Sequence, residues 1–290
     1  MTRDAEAIAK AETMSDDARS WSRSELAEHV AARLEADRER LRAEWQRSGP
    51  TRHVAIDDVM PEAAARALAD AFPDPATMMV RNTWRERKRV GVEVKDYAPI
   101  VNDFLYAFQD ERVRRAVSAI TEVEDLEADP TLYASGLSVM LPGDFLNPHL
   151  DNSHDGDNRL YRAVNILYYA SPGLGEDGGG ELEIWDEDVR EAVKVPARFN
   201  RLAIMETNQT SWHGVAEIKG TAPRLCVSNY YFTARPPGGV DYSHVTSFAG
   251  RPERPVLRAF MKVDAFALNL IGRLFPFLTT RNPHRIQDED

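Results

Sequence analysis

Residues 161–185 read YRAVNILYYASPGLGEDGGGELEIW, and this stretch decides the fold class. Its first ten residues are mostly apolar and aromatic, which is the composition of a buried strand, and alternating apolar residues return in ELEIW at 181–185. The glycine-rich run between them is typical of a turn. Further short apolar segments follow at 198–205 (RFNRLAIM), 212–215 (WHGV) and 224–232 (RLCVSNYYF). Short strands separated by such turns predict an all-β sandwich or barrel core.

A candidate metal site lies just before this stretch, at His149-Leu150-Asp151. Successive side chains of a strand point to opposite faces, so His149 and Asp151 project to the same side. His213 supplies a third ligand if a distant strand folds back across the first one. Two imidazoles and one carboxylate cover one face of an octahedral metal and leave its other positions open. This is the ligand set of non-haem Fe(II) oxygenases.

Arg224 follows His213 by 11 residues and begins a strand that can run beside that of His213. There it would place a cation near the metal, where it can pair bidentately with a dicarboxylate co-substrate. A lone His-x-Asp is common by chance and is usually a surface turn. The prediction of a metal site therefore depends on the strands that surround this motif.

The segment 131–234 resembles the double-stranded β-helix core of the Fe(II)/2-oxoglutarate-dependent dioxygenases, and within them the prolyl-4-hydroxylase type. The resemblance implies a mainly β jelly-roll core, similar to that of cupins, with N-terminal and C-terminal helices around it. The motifs that carry it, in order, are HLDN at 149–152, ILYY at 166–169, GGGELEIW at 178–185, RFNRLAIM at 198–205, WHGV at 212–215 and the strand that begins at Arg224.

The resemblance also implies roles for single residues. By this likeness His149, Asp151 and His213 bind iron, and Arg224 binds the distal carboxylate of 2-oxoglutarate. Tyr169 matches a tyrosine that helps to hold the same carboxylate in related hydroxylases.

The chain departs from the family pattern at Leu141, which precedes a Pro-Gly turn and stands where some relatives carry a tyrosine. Tyr133, eight residues earlier, is the candidate to replace it in binding 2-oxoglutarate. Arg224 stands where many collagen-type relatives use lysine and oxygen-sensing relatives use arginine. Asp151 is retained, whereas related halogenases have glycine or alanine there, so hydroxylation is favoured over halogenation.

Several polar residues near the predicted ligands are candidates to anchor the imidazoles or line the pocket, because metal-bound histidines usually need their other nitrogen anchored. Each fits equally well as a residue that only bonds the backbone at a strand end. His154 lies in a polar loop and is not predicted to be a ligand. The anchoring candidates are Asn152, Asn165, Thr207, Trp212 and Ser228, and Ser228 is also a candidate for 2-oxoglutarate binding.

The function implied by the resemblance is that of an enzyme that uses Fe(II), 2-oxoglutarate and O2, with ascorbate as an optional reductant, and releases succinate and CO2. The first substrate hypothesis is a free small molecule, such as an amino-acid derivative or a natural-product intermediate, hydroxylated at an unactivated C–H bond. The alternative substrate is a prolyl residue in a protein or peptide. An alternative of another class is a non-catalytic jelly-roll protein that binds a metal.

Composition and charge limit the partners and the location that are expected for this protein. A net charge of −11 argues against nucleic acid or an anionic membrane surface as partners, because both attract a positive field. The basic stretch 81–89 (RNTWRERKR) can grip an anionic substrate, but the favoured interpretation is a solvated loop or an edge strand blunted by charge. Cys226 is the only cysteine, which excludes an intrachain disulfide. No signal-peptide core is found in residues 1–10, so we expect a cytoplasmic protein.

Three regions are expected within one integrated domain: helical and supporting residues 1–125, the catalytic core 126–235, and an irregular segment with a covering helix, 236–290. In the first region, residues 21–48 have a helical period, with Ser22 or Ser24 as the cap.

Residues 54–72 predict a short strand and then a helix opened by Pro61, and residues 103–120 predict a further helix. Polar residues and a proline interrupt the apolar stretch 260–278, so a membrane span is not expected there. We expect instead an amphipathic helix that covers the barrel, closes the pocket or forms a homodimer.

Overall fold

Twelve antiparallel strands form one sheet in the computed structural model, which describes residues 20–91 and 94–261. The strands confirm the segments predicted from the apolar patterns and add several before and after them. They are β1 His53–Ile56, β2 Met79–Asn82, β3 Glu86–Gly91, β4 Gly136–Met140, β5 Phe145–Leu150, β6 Tyr161–Tyr169, β7 Leu182–Trp185, β8 Ala192–Val195, β9 Arg201–Glu206, β10 His213–Val215, β11 Arg224–Thr233 and β12 Ser247–Phe248.

The strand order is β1-β9-β6-β11-β4-β3-β5-β10-β7-β8, with β2 paired to β3 and β12 paired to β5. Because β3 pairs with both β4 and β5, it joins two halves of the sheet, β1-β9-β6-β11-β4 and β5-β10-β7-β8. Residues of both halves line one cavity. The sheet is thus a nearly closed barrel with flanking helices, which confirms the predicted mainly β class with a jelly-roll core.

Within the described residues, five α-helices precede the barrel strands β4 to β12. They are α1 Arg23–Ala36, α2 Arg38–Arg47, α3 Glu62–Asp70, α4 Pro99–Ala107 and α5 Glu111–Thr121. Ser22 is the N-cap of α1 and forms a capping box with Glu25, as one of the two predicted caps. Strand β1 followed by α3 confirms the strand and helix predicted in residues 54–72.

Two of the predicted helices are each broken into a pair. The single helix expected over residues 21–48 ends at Ala36, because Asp37 leaves helical geometry with φ −105° and ψ 10°. This change of direction allows both α1 and α2 to pack against α5. The helix expected over residues 103–120 is divided in the same way by Asp110, whose carboxylate accepts a hydrogen bond from the Arg112 N–H and so starts α5.

The main hydrophobic core lies between the helices and one face of the β1-β9-β6-β11-β4 half. Side chains alternate along β6, so Tyr168 points to the helices, where it contacts the rings of Phe104 and Phe108 at 5.6 and 5.8 Å. Tyr169 points to the opposite face, in a second cluster under the cavity. One strand therefore holds the helices with one set of residues and builds the site with the other.

The basic stretch 81–89 has the structure that the sequence favoured only in its first part. Its first residues lie in β2, an edge strand, but β3 is an interior strand that pairs with β2, β4 and β5. Arg81, Glu86 and Lys88 line the cavity instead of facing solvent. The reason is charge pairing, since Lys88 Nζ and Arg81 Nη1 lie 2.9 and 3.3 Å from the carboxylate oxygens of Glu86.

At the C-terminal end, residues 255–261 are helical, and the rest of the helix expected at 260–278 lies outside the described residues. No helix in the part of the chain described here is long and apolar enough to cross a membrane. Cys226 is a buried free thiol on β11, as expected.

Candidate active site

The pairing of β5 with β10 brings His149 and His213 side by side. The two residues are register partners, and their ring centroids lie 4.2 Å apart. Asp151 directly follows β5, and its Oδ1 and Oδ2 lie 3.6 Å from His149 Nε2 and 3.7 Å from His213 Nε2. One donor atom from each residue lies within 4.8 Å of the other two. The three side chains therefore converge on one point, as the spacing predicted.

The backbone fixes how the two imidazoles present their nitrogens. His149 Nδ1 lies 3.2 Å from the carbonyl oxygen of Asn147, and His213 Nδ1 lies 2.9 Å from that of Ser211. A carbonyl oxygen only accepts hydrogen bonds, so Nδ1 donates in each ring and the Nε2 lone pair points to the convergence point. The anchors are thus backbone carbonyls, and none of the five anchoring candidates from the sequence hydrogen-bonds to either ring.

The electrostatics of the site suit metal binding. Burial, helped by the neighbouring His149 charge, lowers the pKa of His213 to about 4. Burial acts to raise the pKa of Asp151, but at the low pH where this carboxyl titrates the charges of protonated His213 and of Arg162 outweigh the effect, and the pKa lies well below its usual value. Near neutral pH His213 is therefore neutral and Asp151 is ionised. Metal ligands need these protonation states. The donor set fits Fe(II).

Arg224 lies at the start of β11 and is only 2% exposed. Its Nε donates to the Gly180 carbonyl at 2.9 Å, and its guanidinium lies 4.9 Å from the centroid of the Tyr169 ring. No carboxylate within residues 20–91 and 94–261 forms an ion pair with it. A buried cation without a counter-ion is costly. The side chain therefore fits a site that receives the carboxylate of 2-oxoglutarate.

Gly180 makes room for this arginine. Its φ of +74° lies in the left-handed region, and a Cβ there would approach Ile218 Cδ1 to 2.6 Å and Arg224 Cδ to 3.0 Å. The glycine run at 178–180, read from the sequence as a turn, therefore also determines where the guanidinium lies.

Tyr169 has a hydroxyl that is buried without a hydrogen-bond partner. Burial raises the pKa of this hydroxyl, so it stays a neutral donor. An orphaned donor beside a buried guanidinium fits an oxygen acceptor such as a carboxylate.

The other residues predicted near the site are spread more widely. Ser228 lies on the cavity wall, where its Oγ donates to the Gly136 carbonyl at 3.3 Å, and Tyr133 also lines the cavity. Asn152 and Asn165 line the cavity too, whereas Thr207 and Trp212 do not.

Two residues beside Asp151 were missed by the sequence analysis. Tyr230 Oη donates to Asp151 Oδ2 at 2.9 Å, and Arg162 Nη1 lies 3.6 Å from Oδ1. The one available signal was the period of β11, because Tyr230 shares a face with Arg224 and Ser228. Nothing in the sequence singled out Arg162.

The site is part of a cavity of about 550 Å³ between the two halves of the sheet. Phe248 of β12 stacks on the His149 ring, with centroids 5.3 Å apart and an interplanar angle of 21°. Opposite charges meet on the β3 wall, where Arg81 and Lys88 hold the pKa of Glu86 down to about 2 despite the opposing effect of its burial. The cavity therefore has a metal-ligand cluster, a buried arginine and a charged wall.

Comparison with known proteins agrees with this geometry. Residues 135–232 match the family model of the 2OG-Fe(II) oxygenase superfamily. No curated protein matches the chain. Among solved structures, prolyl 4-hydroxylases from Phytophthora capsici are similar at 17% identity, with 92% of this chain and 79% of that chain covered and a TM-score of 0.51.

Two other solved structures are similar at lower TM-scores. A Pseudomonas putida prolyl-4-hydroxylase has 20% identity, covering 67% of this chain and 98% of its own, with a TM-score of 0.49. HygX from Streptomyces hygroscopicus, with nickel, 2-oxoglutarate and hygromycin B bound, has 12% identity, covering 67% and 91%, with a TM-score of 0.44.

The fold and the convergent donors define a non-haem metal oxygenase. The family match makes this more specific, because residues 135–232 match the 2OG-Fe(II) oxygenase superfamily. Its cofactor and co-substrate are Fe(II) and 2-oxoglutarate.

Proposed function

We propose that this enzyme hydroxylates an unactivated C–H bond of a free small molecule, such as an amino-acid derivative or a natural-product intermediate. The observation that carries the proposal is the pocket shape of the cavity, which has a volume of about 550 Å³. The hairpin of β2 and β3 contributes to its lining, and so do Val245, Thr246 and Phe248. The Trp84 ring at the tip of this hairpin meets the Phe260 ring in the C-terminal helical segment at 5.2 Å. A pocket of this size suits a small molecule, whereas a peptide needs an extended groove.

In this proposal His149, Asp151 and His213 bind the iron. Arg224 and the Tyr169 hydroxyl bind the distal carboxylate of 2-oxoglutarate, and Ser228 and Tyr133 contribute polar groups to the same cavity. When bound, the iron and 2-oxoglutarate supply the oxidising chemistry, with release of succinate and CO2. The protein orients the two imidazoles through the Asn147 and Ser211 carbonyls.

The charged wall of β3 gives the substrate its expected polarity. Glu86 is 8% exposed and lies between the cations of Arg81 and Lys88, so this part of the cavity offers both a carboxylate and two cations. Such a wall suits a molecule that carries an ammonium, a carboxylate or several hydroxyls. This polarity supports a small polar metabolite.

The test is succinate formation by the protein supplied with Fe(II), 2-oxoglutarate, O2 and ascorbate, in the presence of a panel of small polar metabolites and proline-containing peptides. We expect one small molecule to stimulate turnover, and the His149→Ala variant to show none. Stimulation by a peptide instead would favour prolyl hydroxylation. One-to-one metal binding with no succinate from any panel member, while 2-oxoglutarate binds, would favour the non-catalytic role.

A further inference from the structure

Tyr230 and Asn165 form a short hydrogen-bonded chain that ends on Asp151. Asn165 Nδ2 donates to Tyr230 Oη at 3.0 Å, and Tyr230 Oη lies 2.9 Å from Asp151 Oδ2. All three residues line the cavity, and Asn165 and Tyr230 face each other as register partners of β6 and β11. These hydrogen bonds therefore link Asp151, one of the three candidate metal ligands, to the opposite half of the sheet.

The chemistry of the groups fixes the direction of this chain. An ionised carboxylate only accepts hydrogen bonds, so the single phenol proton of Tyr230 must be donated to Asp151. The phenol oxygen is then the acceptor from Asn165, which must present its amide nitrogen. Each group can act as donor or acceptor in only one way, so the hydrogen bonds have a single direction, from Asn165 through Tyr230 to Asp151.

Arg162 holds the other side of the same assembly. Its guanidinium stacks on the Tyr230 ring, 4.2 Å from the centroid, and its Nη1 lies 3.6 Å from Asp151 Oδ1. Its Nη2 is fixed by a hydrogen bond of 2.6 Å to Asn152 Oδ1. The phenol hydroxyl thus meets one carboxylate oxygen of Asp151 and a guanidinium lies beside the other, which restricts rotation of the carboxylate plane.

We propose that Tyr230, supported by Asn165, is a positioning residue that orients Asp151 for metal binding. This inference rests on the proposed metal ligands. A carboxylate that is already oriented loses less rotational freedom when the metal binds, so the affinity is higher. Partners of this kind change metal affinity by roughly 10- to 100-fold when they are removed.

The test measures Co(II) binding and the visible absorption spectrum of the Co(II)-loaded full-length protein, without 2-oxoglutarate or turnover. We expect Tyr230→Phe, which keeps the ring under Arg162, to weaken Co(II) binding by roughly 10-fold or more and to shift the spectrum. The matched control is Tyr231→Phe. Its hydroxyl donates to the Phe108 carbonyl on the helix side, so its loss leaves both readouts unchanged.

The double variant distinguishes an effect of this hydrogen-bonded chain from a general effect on packing. If Asn165 acts only through Tyr230, Asn165→Ala should weaken Co(II) binding less than Tyr230→Phe, and combining the two should add nothing further. Wild-type affinity and spectrum in Tyr230→Phe would overturn the proposal. If Tyr230→Phe does not fold, an Asn165→Ala variant that folds and binds Co(II) as the wild type does would overturn it.

If the assignment of the metal ligands is wrong, the experiment gives a different result. In that case the wild-type protein itself shows no Co(II) binding that depends on His149. If His149-dependent binding is present but Tyr230→Phe leaves it unchanged, only the positioning role is wrong.

Discussion

Arg224 combines deep burial with the lack of an acidic partner in the part of the chain that the structure describes. In the proposed site this charge is a cost to the fold before 2-oxoglutarate binds, and the co-substrate carboxylate compensates it afterwards. We therefore expect Arg224→Met to raise the melting temperature of the protein without 2-oxoglutarate. The same change should weaken 2-oxoglutarate binding by at least about 30-fold, since truncating one partner of a buried charge pair costs roughly 2–5 kcal/mol.

Thermal unfolding of the Co(II)-loaded protein, with and without 2-oxoglutarate, measures both effects. The control is Arg66→Met on α3, an exposed arginine that pairs with Glu62 on the surface. It should keep the rise in melting temperature that 2-oxoglutarate causes in the wild type. An Arg224→Met protein with the wild-type affinity for 2-oxoglutarate would show that the co-substrate binds elsewhere.

The convergence of His149, Asp151 and His213 could be predicted, because the strand period places the first two on one face and the motif order places the third. Tyr230 and Arg162 could not. They meet Asp151 only through the pairing of β11 with β6, whose register shifts after Tyr231, and no local pattern encodes that register. The groups that anchor the imidazoles could not be predicted either. Every residue has a backbone carbonyl, so residue type does not show which carbonyls accept these hydrogen bonds.

Strand β3 shows why a charged stretch can be misread at the level of an element. The sequence shows the number of cations but does not show that Glu86 pairs with Arg81 and Lys88 inside the barrel. We expect Glu86→Gln to destabilise the fold near pH 7, because it leaves the half-buried Lys88 without its counter-charge. From a folded-state pKa of about 2 against 4.5, the ionisation contributes on the order of 3 kcal/mol at neutral pH.

The pH dependence has a definite sign. The folded-state pKa of Glu86 lies below its unfolded value, so the stabilisation is complete above about pH 4.5 and is lost as the pH falls towards 2. Denaturant unfolding of the wild type and of Glu86→Gln should therefore give curves that converge in this window. Glu28→Gln, at an exposed position of α1, should follow the wild type throughout. A constant difference between wild type and Glu86→Gln from pH 7 down to 2 would contradict the assignment.

The pairing of β10 with β5 depends on Gly214. A Cβ at this position would lie 2.7 Å from the carbonyl oxygen of Leu146 and 3.2 Å from the carbonyl carbon of Asn147, both backbone atoms that cannot turn aside. Gly214→Ala should therefore push β10 away from β5 and separate His213 from His149. We expect a loss of roughly 1–3 kcal/mol of stability and a clear loss of Co(II) affinity.

Denaturant unfolding and Co(II) titration check this prediction. Gly175→Ala is the matched control, since a Cβ there has no atom within 4 Å. If Gly214→Ala binds Co(II) as tightly as the wild type does, the strand spacing is not what sets the distance between the two imidazoles.

At the scale of the whole molecule, the sheet separates the structural core from the site. The apolar patterns predicted most strands, but they merged α1 with α2 and α4 with α5, because a break of one to three residues interrupts the chain without interrupting the apolar period. These helices cover the face of the sheet that lies away from the cavity. Residues of the helix-side core should therefore affect stability without affecting metal binding.

Leu34 of α1 tests this separation, because it is fully buried in the helix-side core and α1 packs on α4 and α5. Leu34→Ala should lower the free energy of unfolding by roughly 2–5 kcal/mol through the cavity it creates. The same variant, kept folded at low temperature, should bind Co(II) with the wild-type affinity, because the β6 residues that face the cavity are not those that contact the helices. Unfolding curves and Co(II) titrations on one preparation measure both quantities. If Co(II) affinity falls along with stability, the helices act on the site through the sheet and the two faces are coupled.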